Sequence, residues 1–161
     1  MSEISKEQLS NLFSRSLNTV DGLWFLGVEE KYGLEAAVEI DEQVWERFMS
    51  IHVKRVTKTY GLETRGIEGL IEAIEVDPLW TTMKPSIQRL SNDSIIFRFT
   101  DCPSQRARVR DGRGEFPCKG VETACFNSMM KVFLPEGKLT CVFCPPDPHP
   151  EDVWCEWKIE S

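Results

Sequence analysis

Leu139-Thr140-Cys141-Val142-Phe143-Cys144-Pro145-Pro146, followed at Val153-Trp154-Cys155-Glu156-Trp157-Lys158-Ile159, is the stretch on which the reading of this chain turns. Strand alternation puts Leu139, Cys141 and Phe143 on one face, and Cys155, Trp157 and Ile159 on one face of a second strand. The Pro-rich segment from Pro145 to Pro150 joins them, so the pair reads as a β-hairpin. Cys141 and Cys144 have the Cys-x-x-Cys spacing that lets two thiolates grip one tetrahedral ion. The returning strand brings Cys155 back toward Cys141. Upstream, Cys118 starts an amphipathic helix, where the positive end of the helix dipole favours a thiolate. Sulfur ligands at Cys118, Cys141, Cys144 and Cys155 select zinc over magnesium or calcium. A closed ligand set leaves no position for water, so the zinc is expected to be structural. Cys102 and His149 are the alternatives to Cys118 as the remaining ligand.

Two other readings of the cysteines are weaker. A redox Cys-x-x-Cys opens a helix, whereas Cys144 is followed by Pro145-Pro146. A nucleic-acid zinc knuckle is close in spacing, with Cys141, Cys144, His149 and Cys155. The prolines of the intervening loop and a net charge of −7 oppose it.

Outward from the hairpin, the chain divides near Asp77-Pro78. Before that point the periodicity is helical. Leu17, Val20, Asp21, Trp24, Phe25 and Val28 fall on one face of a helix that Gly33 ends. Asp41 is placed to cap a second helix whose stripe is Val44, Trp45, Phe48, Ile51, His52 and Val56, ending near Gly61. A third runs from about Thr64, with Ile67, Leu70, Ile71 and Ile74 inward. After Pro78 the pattern turns to strands: an extended run over 80–90, a turn at Ser91-Asn92-Asp93, and the β-rich Ser94–Thr100. The segment 101–114 is a polar loop or short helix, and Cys118 to Phe133 is the amphipathic helix. The expectation is one α+β domain over 1–161, with a helical half at about 1–77 packed on a mostly antiparallel sheet at about 78–161 that carries an inserted helix and the metal.

Composition narrows the function. Hydrophobic residues are 41% and charged residues 28% of the 161, which suits a globular domain. No apolar run approaches the roughly 18 residues that span a bilayer, and the N-terminus has no signal-peptide pattern. The cytoplasm is the expected compartment, where the six cysteines stay reduced. The acidic balance disfavours nucleic acid as a partner. Arg106, Arg108, Arg110 and Arg113 form the one basic cluster, interleaved with acids, and read as a solvated turn or an anion contact.

Outside the metal set, Asp21 lies on the same stripe as Leu17 and Trp24, where burial would raise its pKa. It is a candidate base. Cys102 follows a strand and is a candidate nucleophile, with Arg106 one turn on as its activator. Trp24, Trp45, His52 and Phe97 are candidate walls of a ligand pocket, and Arg98, which interrupts an apolar strand, a candidate clamp for a carboxylate.

Cys118-Lys-Gly-Val-Glu-Thr-Ala-Cys, Leu139-Thr-Cys-Val-Phe-Cys and Trp154-Cys-Glu-Trp together resemble the C-terminal half of the four-vinyl reductase domain. That family is a small-molecule-binding branch of the fold shared by haem nitric-oxide-binding domains and TRAPP trafficking subunits. Cys118, Cys141, Cys144 and Cys155 match its zinc positions in order, although the segment between Cys144 and Cys155 is longer and richer in proline. The resemblance implies a ligand-sensing domain that holds a small, largely apolar molecule between the helices and the sheet, and a homodimer. Asp21-Gly-Leu-Trp-Phe, Asp41-Glu-Gln-Val-Trp45, Thr100-Asp-Cys102-Pro and Gly114-Glu-Phe-Pro-Cys118 are similar to cytosolic proteins of the L-2-amino-thiazoline-4-carboxylate hydrolase type. This second likeness implies an alternative, hydrolysis of small cyclic amides or thiazolines with Cys102 and Asp21 as working groups. A third reading is an adaptor acting through protein contacts alone. A ligand domain requires a closed apolar cavity, an enzyme an open site where Cys102 meets a base, and an adaptor only an exposed apolar patch.

Overall fold

Ser5 and Gln8 start the first helix with a reciprocal capping box: each side chain accepts a hydrogen bond from the other's backbone N–H, at 3.1 Å and 2.8 Å. The computed structural model describes residues 4–161. Helix α1 (Lys6–Tyr32) is followed by α2 (Leu34–Tyr60) with only Gly33 between them. Gly33 has φ 89°, a conformation that a side chain would strain. The chain therefore reverses on one residue and the two long helices pack as an antiparallel pair. Asp21 and Trp45, each twelve residues from Gly33, consequently face each other. Gly61 ends α2 in the left-handed conformation expected of a C-cap glycine.

Helix α3 (Gly66–Val76) buries Ile67, Leu70 and Ile74 as its periodicity requires. Asp77 then caps the short α4 (Pro78–Thr81) by accepting from the Leu79 N–H. Strands β1 (Pro85–Ser91) and β2 (Ser94–Phe99), helices α5 (Pro103–Arg110) and α6 (Lys119–Phe133), and strands β3 (Lys138–Phe143) and β4 (Cys155–Glu160) complete the order. The sheet runs β1-β2-β4-β3 with every neighbour antiparallel. The architecture is α+β: helices laid on one face of an antiparallel sheet, with α5 and α6 inserted between its second and third strands.

The core lies between that face and α6. Ile95, Phe97 and Phe99 from β2 and Cys155, Trp157 and Ile159 from β4 alternate inward and are all buried. Phe126 of α6 sits among Trp80, Phe97 and Trp157, with ring centroids 5.0–5.5 Å apart, the range favoured by tilted and edge-on pairs. Met49, Val53 and Val56 of α2 join the same buried cluster, so the two halves share one core.

The helical half departs from the expected pattern in three places. Asp41 does not cap α2; it lies inside it, because the glycine turn lets the helix start at Leu34. Of the stripe expected to face inward on α1, Asp21, Phe25 and Val28 are half-buried, but Val20 and Trp24 are 55% and 73% exposed. On α2, Val44 and Ile51 likewise point outward, while Trp45, Phe48, His52 and Val56 turn in. Helical spacing identifies a stripe but not which of two adjacent arcs a neighbour will cover. The basic cluster is also not a solvated turn throughout. Arg108 is 6% exposed, makes a two-pronged bond to Glu29 of α1 at 2.6 Å and 3.0 Å, and lies over the rings of Phe25 and Phe116, which pack on each other. That bond holds the Glu29 carboxyl below the usual glutamate range and ties α5 to α1.

Phe126→Ala should destabilise the fold by about 3–5 kcal/mol, the usual cost of emptying a fully buried aromatic site. Urea unfolding checks this, and a loss under about 1 kcal/mol would show that the core is not centred on Phe126.

Candidate metal centre

Of the four cysteines singled out by spacing, Cys144 contacts Cys118 and Cys155 at the edge of the core, and Cys141 lies near them on β3. Cys118 is the residue before α6, Cys141 lies within β3, Cys144 just beyond it, and Cys155 opens β4. The antiparallel pairing of β3 and β4 places Cys141 opposite Trp157, one inward position from Cys155. Cys118, Cys144 and Cys155 are buried and Cys141 half-buried, and none is in a disulfide. The Cys118 and Cys144 sulfurs are 3.4 Å apart, far beyond the roughly 2.05 Å of an S–S bond and close to the roughly 3.8 Å edge of a tetrahedron with Zn–S near 2.3 Å. Cys144 also shares a hydrogen bond with Cys155, and these two contacts, with burial, raise the Cys144 thiol far above its ordinary range. Cys141 is raised by burial, with Lys119 opposing and Cys155, Asp147 and Cys118 adding.

Two buried N–H groups are aimed at these sulfurs. Gln105 donates from Nε2 to Cys118 Sγ at 3.3 Å, and Trp157 donates from Nε1 to Cys155 Sγ at 3.3 Å. Gln105 is itself fixed, giving to the Phe116 carbonyl at 2.8 Å and accepting from the Phe116 N–H at 3.1 Å. Neutral thiols accept hydrogen bonds weakly, whereas thiolates accept them strongly. Donors locked onto sulfur are the outer-shell support that sulfur ligands of a metal need. Among the described residues, no three ligating groups already meet at coordination distance. The sulfurs stand as hydrogen-bonded thiols, and it is the chemistry of the donor set that fits zinc.

His149 does not compete for the ion. Its Nδ1 meets the Pro150 carbonyl at 2.9 Å and its Nε2 meets Glu115 at 3.1 Å, while the ring stacks near Phe143 and Trp154. Burial alone would lower its pKa, but the bonds to Pro150 and Glu115 outweigh that and hold it above the usual value. With both ring nitrogens engaged, His149 pins the tip of the β3–β4 hairpin to the chain before Cys118. Cys102 stands beside the sulfur set as the residue before α5. Burial holds its thiol well above the ordinary range, the Gln105 N–H opposes, and Cys118, Glu122 and Cys155 add to the rise. A nucleophile needs the opposite shift. Arg106, its expected activator, is paired with Asp101 instead.

Asp21 is half-buried, and loss of hydration raises its pKa to about 6 against the pull of the Trp45 indole. The structure adds two carboxyls that sequence reasoning missed. Asp41 is raised to about 7 by burial and by Asp21, with Trp45 again opposing. Glu122 of α6 is raised to about 8 by burial and by Asp41. Three helices thus bring three acids to one junction beside Cys125. Asp41 and Trp45 at i, i+4 carried the signal, which its reading as a cap obscured.

The residues expected to line one pocket are not brought together. Trp24 is on the outside of α1. His52 is held by Asp77 at 2.9 Å and stacked on Phe48, a satisfied core histidine. Phe97 is wholly buried under α6, whereas Arg98, one residue on, faces the opposite side of the sheet and bonds Glu156 at 2.6 Å and Gln88 at 3.0 Å. Strand alternation alone separates those two. Trp45 packs edge-on against Phe48. Two hollows among the described residues are open grooves: one on the outer side of α1 round Gly27, walled by Leu23, Trp24, Val28 and Tyr32, and one between α2 and α6.

Raised folded-state carboxyl pKa values favour the folded protein at low pH. Their contribution is complete below pH 4, where the unfolded carboxyls also hold protons, and is lost as pH rises through 6 to 7 at Asp21 and Asp41. Asp41→Asn should therefore raise the melting temperature at pH 8 by about 3 °C, for a gain of roughly 1 kcal/mol, and leave it nearly unchanged at pH 5. Equal shifts at both pH values in a thermal melt would refute the assignment.

Comparison with protein-family models matches residues 2–160 to a family of unknown function (DUF6125), so the chain belongs to that family. Curated proteins yield no match.

Proposed function

We propose that this member of the DUF6125 family is a binding domain of the ligand-sensing type, not a catalyst, built on a structural zinc held by Cys118, Cys141, Cys144 and Cys155. The observation that carries the metal is the pair of buried N–H donors, Gln105 and Trp157, fixed on the Cys118 and Cys155 sulfurs. Zinc would cross-link the start of α6 to the β3–β4 hairpin and so stiffen the part of the fold that supports the helices. Binding is favoured over hydrolysis because burial raises the Cys102 thiol and its expected activator, Arg106, is committed to Asp101. The surface offered for binding is the outer side of α1, where Leu23, Trp24, Val28 and Tyr32 wall an apolar groove round Gly27 that is open, unlike the closed cavity expected of a ligand domain. Among the described residues no helix is long and apolar enough to cross a membrane.

Native mass spectrometry of the purified protein should find one zinc per chain, and any retained small molecule in the same spectrum. Cys155→Ser should lose the zinc together with cooperative folding. Trp157→Phe keeps an aromatic ring, though a smaller one, and deletes the N–H to Cys155; it should weaken zinc affinity about 10- to 100-fold in a chelator competition while the far-UV spectrum is kept. A metal-free protein of undiminished stability would overturn the zinc assignment.

A further inference from the structure

Before Gly22, every residue of α1 that turns toward the rest of the protein is polar: Ser10, Ser14, Asn18 and Asp21, with Ser14 the most deeply buried. After it the inward side changes character. Phe25, Leu26 and Val28 turn in, Phe25 packs on Phe116 with ring centroids 4.9 Å apart, and Glu29 takes both bonds of Arg108. Apolar burial is the main force that holds one helix on another. The C-terminal part of α1 is therefore anchored, while the stretch 6–20 is held by much less. The change falls at Asp21, where the acid junction sits. Nothing lies within 4 Å of where a Cβ on the next residue, Gly22, would stand. Packing does not call for a glycine there, and a glycine in a helix interior softens the helix.

We propose that residues 6–20 of α1 form an arm, hinged at Asp21-Gly22, that lies on the protein while Asp21 and Asp41 hold their protons and swings free when they ionise. This goes beyond the zinc-centred reading and does not depend on it. Asp21 and Asp41 come from different helices, and both accept from the one Trp45 indole N–H. From α6 they are faced by Glu122 and the Cys125 thiol, and Glu42, beside Asp41 on α2, lies against Gly120 of α6. Among the described residues no lysine, arginine or histidine is among the groups acting on Asp21, Asp41 or Glu122. The anchored end is the reverse case, since the Glu29 charge is met by Arg108. Ionising Asp21 and Asp41 thus sets two like charges across the α1–α2 contact, with one N–H to offset them and another carboxyl opposite. Burial lifts the Asp21 carboxyl to about 6, and burial with the Asp21 charge lifts Asp41 to about 7. Docking of the arm is therefore complete below pH 4 and weakens as pH rises through those two values. Release uncovers Trp45 and opens the helical half between α1 and α2.

Hydrogen exchange of the full chain at pH 5 and pH 9, corrected for the intrinsic exchange rate and read by mass spectrometry, tests this. On going to pH 9, amides of 6–20 should lose at least about tenfold more protection than those of 25–32. Asp21→Asn and Asp41→Asn keep the size of each side chain and cannot ionise, so each should lessen that loss, and the two together should abolish it. Equal protection of the arm at both pH values would overturn the proposal. So would a loss spread evenly over α1 and α6, or asparagine variants whose arm is released as in the wild type. The wild-type comparison decides the matter even for a variant that does not fold.

Discussion

Helix α6 is wedged between the sheet and α2, and every feature with chemical content hangs from that contact. Phe126 closes the aromatic core on one side, with Trp80, Phe97 and Trp157 around it. On the other side α6 approaches α2 so closely that a Cβ on Gly120 would meet the Glu42 carboxylate at 2.1 Å. One rigid helix so placed fixes Cys118 at its start against the hairpin sulfurs and Glu122, one turn on, against Asp41. The sulfur set and the acid junction are two ends of the same packing event.

Each end carries a different electrostatic cost. At the sulfur end burial raises the Cys141 thiol, and hydrogen bonds with Cys118 and Cys155, together with burial, raise Cys144, so S–H is favoured at both. The Gln105 and Trp157 N–H groups donate to Cys118 and Cys155, support that a thiolate would use more fully than a thiol. At the acid end the carboxyls are partly stripped of water with only an indole N–H to offset the loss, so they hold their protons into the neutral range. Glu29 behaves in the opposite way. It too is partly buried, yet the Arg108 guanidinium keeps it ionised. Glu29 is matched with the Arg108 cation, whereas Asp21, Asp41 and Glu122 are raised toward their protonated forms.

The helical hairpin is held to this platform through α2, whose Met49, Val53 and Val56 enter the core, and through the Arg108–Glu29 bond from α1. Its far side exposes Leu12, Phe13, Leu23 and Trp24. The satisfied core histidine, the Cys102 thiol raised by burial and the open apolar face are what support the binding role proposed for this protein.

Much of this was legible in the order of residues. The α+β class followed from a change of period at Asp77-Pro78, and the elements from caps and glycines that act locally: Gly33, Gly61, Ser91-Asn92-Asp93. The metal candidates were equally legible, because Cys-x-x-Cys and a returning strand are short-range geometry. What the order could not say is which arc of an amphipathic helix is covered, since periodicity is blind to a rotation of the stripe by one residue's angle. Hence spacing turns Trp24 and Val44 inward where packing turns them out. Nor could it say that Asp41 belongs inside a helix with Asp21 and Glu122 near it, or that Arg108 finds Glu29, 79 residues away. Those pairings are set by the packing of α1, α2 and α6 in three dimensions, where burial decides the charge state of each group and no local pattern records it.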